Sequence, residues 1–426
     1  MGRLPARTER RPERFHGWTI AWMLAVTQTV GYGILFYAYG VLTVPMEEAL
    51  GWTRAQTSGA FSVALLTSGL AALAAGRIVD RHGARVLMTL GSIAGGALVL
   101  AWSFVTSLPQ LYLVQAGIGL VLAAVTYEVA FAVVARWFRR DRIRALLVVT
   151  MVGGLASTIF VPLTTFLVEA WGWRVALRTL ALLLWLITVP LHGLVLRRAP
   201  ERRDGCFEGE PREVGPAGEA RAERTPDVTA RDAWRDPTFW WLTSAFALDR
   251  MAIVAIGAHA VPLLLERGFS AAVVATAAGS IGLLQVAGRL LFAPATARAS
   301  LGRLAFVTYL VRAASLAALL ILPGAAGMWA FAALFGLANG ASTLARAGLV
   351  AETFGAKQYG TISGSMTTAI AVLQTASPLA VGALRVATGG YATPLVVLTL
   401  LALGAAVAVD RARRRTTSLA AQMDPS

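Results

Sequence analysis

The feature that most constrains this chain is a succession of long apolar runs separated by short, arginine-bearing loops. A helix rises about 1.5 Å per residue, so roughly 20 apolar residues cross the ~30 Å hydrocarbon core of a bilayer. Runs of that kind lie at about 18–42, 55–75, 86–105, 110–135, 145–168 and 175–196, and again at about 239–264, 272–295, 304–322, 328–350, 361–386 and 391–409. They predict an all-α membrane protein of twelve transmembrane helices, numbered helix 1 to helix 12 in chain order. Composition agrees: 57% of residues are hydrophobic and only 14% are charged, more apolar than a soluble core of 426 residues needs.

The formal net charge is +15. A nucleic-acid partner would require that charge on a polar face, and the basic residues instead cluster between apolar runs, so no nucleic-acid partner is expected. Arg77, Arg81 and Arg85 follow helix 2, and Arg136, Arg139, Arg140, Arg142 and Arg144 follow helix 4. The alternate loops are less basic, with Glu47, Glu48 and Arg54 after helix 1 and Glu266 with Arg267 after helix 7. The positive-inside bias then puts both termini in the cytoplasm. The expected setting is a bacterial-type inner (plasma) membrane, with a multi-pass chain acting as a monomer.

Residues 1–17 read as a cytoplasmic tail, 18–196 as a first six-helix bundle, 197–236 as a cytoplasmic linker, 237–409 as a second bundle and 410–426 as a C-terminal tail. The linker is rich in Glu, Arg, Gly and Pro and has too few apolar residues to fold alone. The two bundles look like copies. One offset, 217 residues, relates Pro45 to Pro262, Gly51 to Gly268 and Gly119 to Gly336, and Pro162 matches Pro378 within one residue. A repeat of six helices in the same orientation implies a pseudo-two-fold axis along the membrane normal, with a site near the midplane between the halves.

The loop after helix 2 reads Gly76-Arg77-Ile78-Val79-Asp80-Arg81-His82-Gly83-Ala84-Arg85. It resembles the major facilitator signature G-x-x-x-D-R-x-G-R, with Ala84 displacing the last Arg by one position. The resemblance implies a secondary transporter in which Gly76, Asp80, Arg81, Gly83 and Arg85 latch the cytoplasmic side. The matching place in the second half carries Ala297 and Arg298, without the acid. Gly17-Trp18, Gly51-Trp52-Thr53-Arg54 and Gly288-Arg289 further resemble the bacterial branch of monocarboxylate transporters and oxalate/formate-type antiporters. The helix 5 pattern of drug–proton antiporters is not matched: Gly153-Gly154 lacks a preceding Gly-Pro.

Ionisable groups at membrane depth are costly and mark cavities or partners. Glu128, Asp249, Arg250, Arg289, Arg312 and Arg346 are the deep ones. The resemblance implies that helices 1, 4, 7 and 10 line the cavity, which favours Glu128, Asp249 and Arg346; Arg250, about 100° around helix 7 from Asp249, is expected to contact a neighbouring helix. Glu128 and Arg346 are related by the repeat within one residue and are expected to face each other, with Glu128 or Asp249 carrying proton coupling or, alternatively, Glu128 in a permanent salt bridge. Arg289, with Gln285 one turn earlier on the same stripe, is the expected carboxylate ligand, as in the helix 8 of the family it resembles; pairing with Asp249 is the alternative. Asn339 and Tyr32 are further substrate-binding candidates. Tyr37 and Tyr39 are read as packing residues, and Arg312 has no evident partner.

The expected function is alternating-access transport of a small organic anion such as a monocarboxylate, coupled to protons or to exchange. Efflux of apolar compounds or drugs is the alternative, and a non-transporting sensor or scaffold on the same fold is a third reading. Cys206 is the only cysteine, and no Cys/His cluster, catalytic triad or phosphate-binding loop occurs, so neither metal, cofactor nor enzyme activity is expected.

Overall fold

A computed structural model describes residues 16–197 and 228–423. Among these residues every regular element is helical. Nearly all of the predicted N-terminal tail, most of the linker and Cys206 lie outside the described residues.

Helix 1 spans Gly17–Leu50, helix 2 Arg54–His82, helix 3 Ala84–Trp102 and helix 4 Leu108–Trp137. The next apolar stretch, Arg142–Val195, runs without interruption in hydrogen bonding but holds Gly172 at φ 76°, ψ 161°, outside the helical region. That glycine divides it into helix 5 (142–171) and helix 6 (173–195). Helices 7 to 12 span Pro237–Glu266, Ala271–Ala295, Leu301–Ile321, Gly324–Phe354, Tyr359–Thr388 and Ala392–Met423. The twelve predicted helices are thus present. Two boundaries differ from expectation: helix 12 continues through the predicted C-terminal tail, and the linker ends in a short helix, Ala230–Arg235, whose Ala230 and Ala233 are buried. Val228 N donates to Phe354 O, and Trp234 Nε1 donates to Ser365 Oγ, so this end of the linker is docked on the second half.

Local chemistry sets the helix ends. Thr53 and Gln56 form a capping box at the start of helix 2, as Ser107 and Gln110 do for helix 4. Asp236 accepts from Thr238 N at the start of helix 7. Helix 1 stops at Gly51, whose φ of 67° is the left-handed value that glycine adopts without steric cost.

The repeat is carried into three dimensions. Gly51 and Gly268 both have positive φ, as do Gly172 and Gly389, and each pair obeys the 217-residue offset. Gly119 of helix 4 lies against Ala64 O and Thr67 Oγ1 of helix 2, and Gly336 of helix 10 lies against Ile281 O and Leu284 Cβ of helix 8. Those partners are themselves related by the same offset. Helices 1–6 and 7–12 therefore form two bundles built alike, each with its second and fourth helices in close backbone approach.

The halves meet mainly through helices 2 and 11. Gly76 sits so close to helix 11 that a Cβ there would come within 1.9 Å of Gly360 O, and a Cβ on Gly364 would come within 2.4 Å of Ala72 O. Thr368 Oγ1 donates to Gly69 O at 2.8 Å. Beyond Ala371 helix 11 becomes exposed, with Val372 at 55% and Leu373 at 48%. The seam is closed at the end that bears helix 1's start and helix 12's finish, and the halves part toward the other end.

Candidate functional site

Above the closed seam lies a cavity of about 500 Å3 lined by both halves. The helices of the N-terminal half are irregular where they reach it. Helix 1 widens to a π-helical stretch over Gly33–Tyr37. Helix 4 breaks at Thr126, which is extended at φ −96°, ψ −165°. Helix 5 has a turn between Gly153 and Ala156. Non-helical backbone at membrane depth is stable only where side chains or cavity water meet its polar groups. Here Gln28 Nε2 donates to Val125 O at 2.7 Å, Thr29 Oγ1 to Val152 O at 2.9 Å, and Arg289 Nη1 to Thr150 O at 2.8 Å. The break at Thr126 also restarts helix 4 at Tyr127-Glu128, so both side chains line the cavity.

Glu128 lies across the seam from Arg346, Oε1 to Nη2 at 3.0 Å, and its Oε2 accepts from Ser363 Oγ at 2.7 Å. Arg346 Nη2 also donates to Thr367 Oγ1, while its Nε is buried without a hydrogen-bond partner. Helices 4, 10 and 11 are thereby joined at the cavity floor.

Arg289 is 7% exposed, lines the cavity and has no carboxylate within ion-pair distance among the described residues. The alternative of a pair with Asp249 is overturned: Asp249 Oδ1 accepts from Arg312 Nε at 3.0 Å. Arg312, which the sequence left without a partner, is wholly buried and also donates to Phe335 O and Asn339 Oδ1, with its guanidinium 4.4 Å from the Phe335 ring centroid. Asp249 and Asn339 reach the cavity wall from this buried network.

Two further placements depart from expectation. Arg250 lines the cavity, donating from Nε to Gln374 Oε1 at 3.1 Å. It does contact helix 11, as its angle from Asp249 implies, but at the cavity surface. Tyr37 is 38% exposed and lines the cavity, whereas Tyr39 is buried, donating to Thr57 O and stacking between Phe61 and Trp102. Gln285 and Tyr32 are on the cavity wall, Tyr32 with its ring centroid 4.7 Å from that of Tyr127.

At the closed end, Asp80 receives Gly360 N at 3.2 Å on Oδ1 and Thr361 N at 2.6 Å on Oδ2. One half thus caps the first turn of helix 11 in the other, where free N–H groups and the helix dipole favour a carboxylate. The partner cation is Arg136, 2.8 Å from Asp80 Oδ1, which also donates to Lys357 O. Arg81 and Arg85, expected in the latch, are exposed and make no ion pair with Asp80. Gly83 holds φ at 83°, allowing the turn into helix 3. In the sequence Arg136 reads only as a topology charge; its bridging role depends on where helix 4 ends relative to helix 2.

Two pseudo-symmetric six-helix bundles, closed at one end around a charged cavity between them, have the architecture of a membrane transporter. The pattern of the Major Facilitator Superfamily matches residues 22–378, and the chain belongs to that family, which comprises transporters and not enzymes. It is 27% identical over 191 residues to monocarboxylate transporter 11 of Mus musculus, covering 44% of this chain and 41% of the relative. It is 27% identical over 236 residues to riboflavin transporter RibJ of Trypanosoma brucei brucei, covering 53% and 42%, and 29% identical over 142 residues to the probable nitrate/nitrite antiporter NarK1 of Thermus thermophilus, covering 32% and 30%. The matches thus span less than half the length of these relatives. Among solved structures, the E. coli fucose:proton symporter FucP superposes with a TM-score of 0.73 over 94% of this chain and 99% of that one, at 12% identity.

Proposed function

We propose that the protein is a secondary active transporter that moves a small organic anion, such as a monocarboxylate, coupled to protons or to exchange. One observation carries this reading. Arg250 and Arg289 line the cavity with no carboxylate within ion-pair distance among the described residues, whereas the two cavity carboxylates, Glu128 and Asp249, are each held by another arginine. The cavity therefore has an uncompensated positive charge in a low-dielectric setting, which favours an anion, and a planar guanidinium offers a carboxylate two parallel hydrogen bonds. The names of the monocarboxylate and nitrate relatives agree in charge. The arginine-bearing closed face is assigned to the cytoplasm by the positive-inside bias, with the chain acting as a monomer in the inner membrane.

The test is flux into proteoliposomes carrying the purified chain, using labelled carboxylic acids with and without a pH gradient. Carboxylates should be taken up and should compete with one another, and Arg289→Gln should raise the half-saturation concentration at least tenfold. Competition by neutral apolar compounds alone would establish the efflux reading instead, and absence of any flux would leave a sensor or scaffold.

A further inference from the structure

The arginines and the continuous aromatic surface lie on different walls of the cavity, although Phe246, Tyr309 and Tyr359 of the C-terminal half line it too. Every cavity-lining arginine belongs to the C-terminal half: Arg250, Arg289 and Arg346. The facing wall of the N-terminal half is aromatic. Tyr127 stacks on Phe131 with ring centroids 5.0 Å apart and planes 10° from parallel, Tyr32 tilts against Tyr127 at 4.7 Å, and Phe36 bridges Tyr32 to Tyr37 through edge contacts at 6.2 and 5.1 Å. All five rings line the cavity, and the rings form one continuous surface.

The irregular backbone of this half produces that surface. The extended Thr126 restarts helix 4 so that Tyr127 and Phe131, four residues apart, share a stripe facing inward, and the π-helical stretch of helix 1 turns Tyr37 into the cavity. Packing accounts for Phe131, which is buried behind Tyr127 at 8% exposure, but not for the rest of the surface: Tyr37 stays 38% exposed and Tyr32, Phe36 and Tyr127 are only half-buried.

We propose that the transported anion is an aryl carboxylate, its carboxylate held by Arg289 and Arg250 and its ring stacked on the Tyr32–Tyr127–Phe131 wall. This rests on the anion reading above and narrows it. Aromatic faces also attract cations, but Arg250 and Arg289, the two lining arginines without a carboxylate partner among the described residues, repel a cationic ligand, which leaves a flat apolar body with a negative head as the complementary shape. Size points the same way: about 500 Å3 lies in the roughly 300–1,000 Å3 range of pockets that enclose drug-sized molecules. A three-carbon acid engaging Arg289 would leave most of the aromatic wall against water. Ring stacking is a contact that only an aryl acid gains.

The experiment uses the full chain in proteoliposomes and three probes: phenylpyruvate, pyruvate and phenylacetamide. Phenylpyruvate should half-saturate transport at least tenfold below pyruvate, and phenylacetamide should neither be carried nor compete. Tyr127→Leu, with Phe131→Leu as the second variant, should bring the phenylpyruvate-to-pyruvate ratio toward one. Equal half-saturation of the two acids by the unaltered protein, with phenylacetamide excluded, overturns the aryl inference and leaves the anion reading standing. Carriage of phenylacetamide as well as phenylpyruvate, or of neither acid, overturns the anion reading itself.

Discussion

Glu128 of helix 4 and Arg346 of helix 10 form a 3.0 Å ion pair across the seam between the halves, with Ser363 donating to the second carboxylate oxygen. This pair must part for the seam to open at the cavity floor. An anion that competes for Arg346 would release Glu128, and a proton on Glu128 would release Arg346; either event lowers the cost of separation. Glu128→Gln is expected to abolish accumulation driven by a pH gradient while leaving exchange of internal for external substrate, because the amide oxygen still accepts from Ser363. Counterflow and gradient-driven uptake in the same vesicles check this, and survival of both would show that Glu128 carries no coupled proton.

The clasp at Asp80 makes a second prediction with two chemically unlike substitutions. Asp80→Asn removes the charge that faces the first turn of helix 11 and Arg136. Gly76→Val removes no charge but forces a side chain into the backbone of Gly360. Both should loosen the same closed end. Transport should fall roughly tenfold for a loss near 1.4 kcal/mol in the balance of states. A cysteine introduced at Thr367 should become more reactive from the terminus-bearing face in both variants. Labelling that changes in one variant only would mean that the two residues do not stabilise the same contact.

Gly154 allows a test of Arg289 that leaves its charge intact. A Cβ at Gly154 would lie 2.6 Å from Arg289 Nη1, so Gly154→Ala must displace the guanidinium from Thr150 O. The expected result is a several-fold higher half-saturation for carboxylates with little change in maximal rate, the pattern of lost uniform binding. An unchanged half-saturation would show that the position of Arg289 against helix 5 does not matter to substrate.

The repeat was legible in the sequence because turns and close helix approaches need glycine wherever they recur; hence Gly51 and Gly268 share a conformation and Gly119 and Gly336 share a packing role. The facing of Glu128 and Arg346 was also legible, since the same offset relates them to within one residue. Which way helix 7 turns was not. Asp249 and Arg250 are adjacent, and only the position of helix 9 decides that Asp249 meets Arg312 while Arg250 looks into the cavity. The break in helix 4 was also hidden: the sequence around Thr126 is as apolar and as free of glycine and proline as its neighbours, whereas the turn in helix 5 falls at the glycine pair Gly153-Gly154. The side chains that meet the backbone at these breaks come from helices 1 and 8.

The buried network around Arg312 is a stability element, and it predicts a distinctive double-mutant pattern. Arg312 is fully enclosed, paired with Asp249 at 3.0 Å, and also donates to Phe335 O and Asn339 Oδ1. Breaking such a pair from one side leaves a buried charge uncompensated, at a cost of about 3–5 kcal/mol, whereas replacing both members by apolar residues is often close to neutral. Asp249→Leu and Arg312→Leu should therefore each lower the unfolding temperature of the purified protein sharply. The double variant should recover most of that loss, because neither charge remains to be solvated. Thermal unfolding in one detergent, followed on all four proteins, gives the coupling directly. Additive losses would show that Asp249 and Arg312 contribute separately. Recovery of stability without recovery of flux would show that Asp249 serves transport as well as packing.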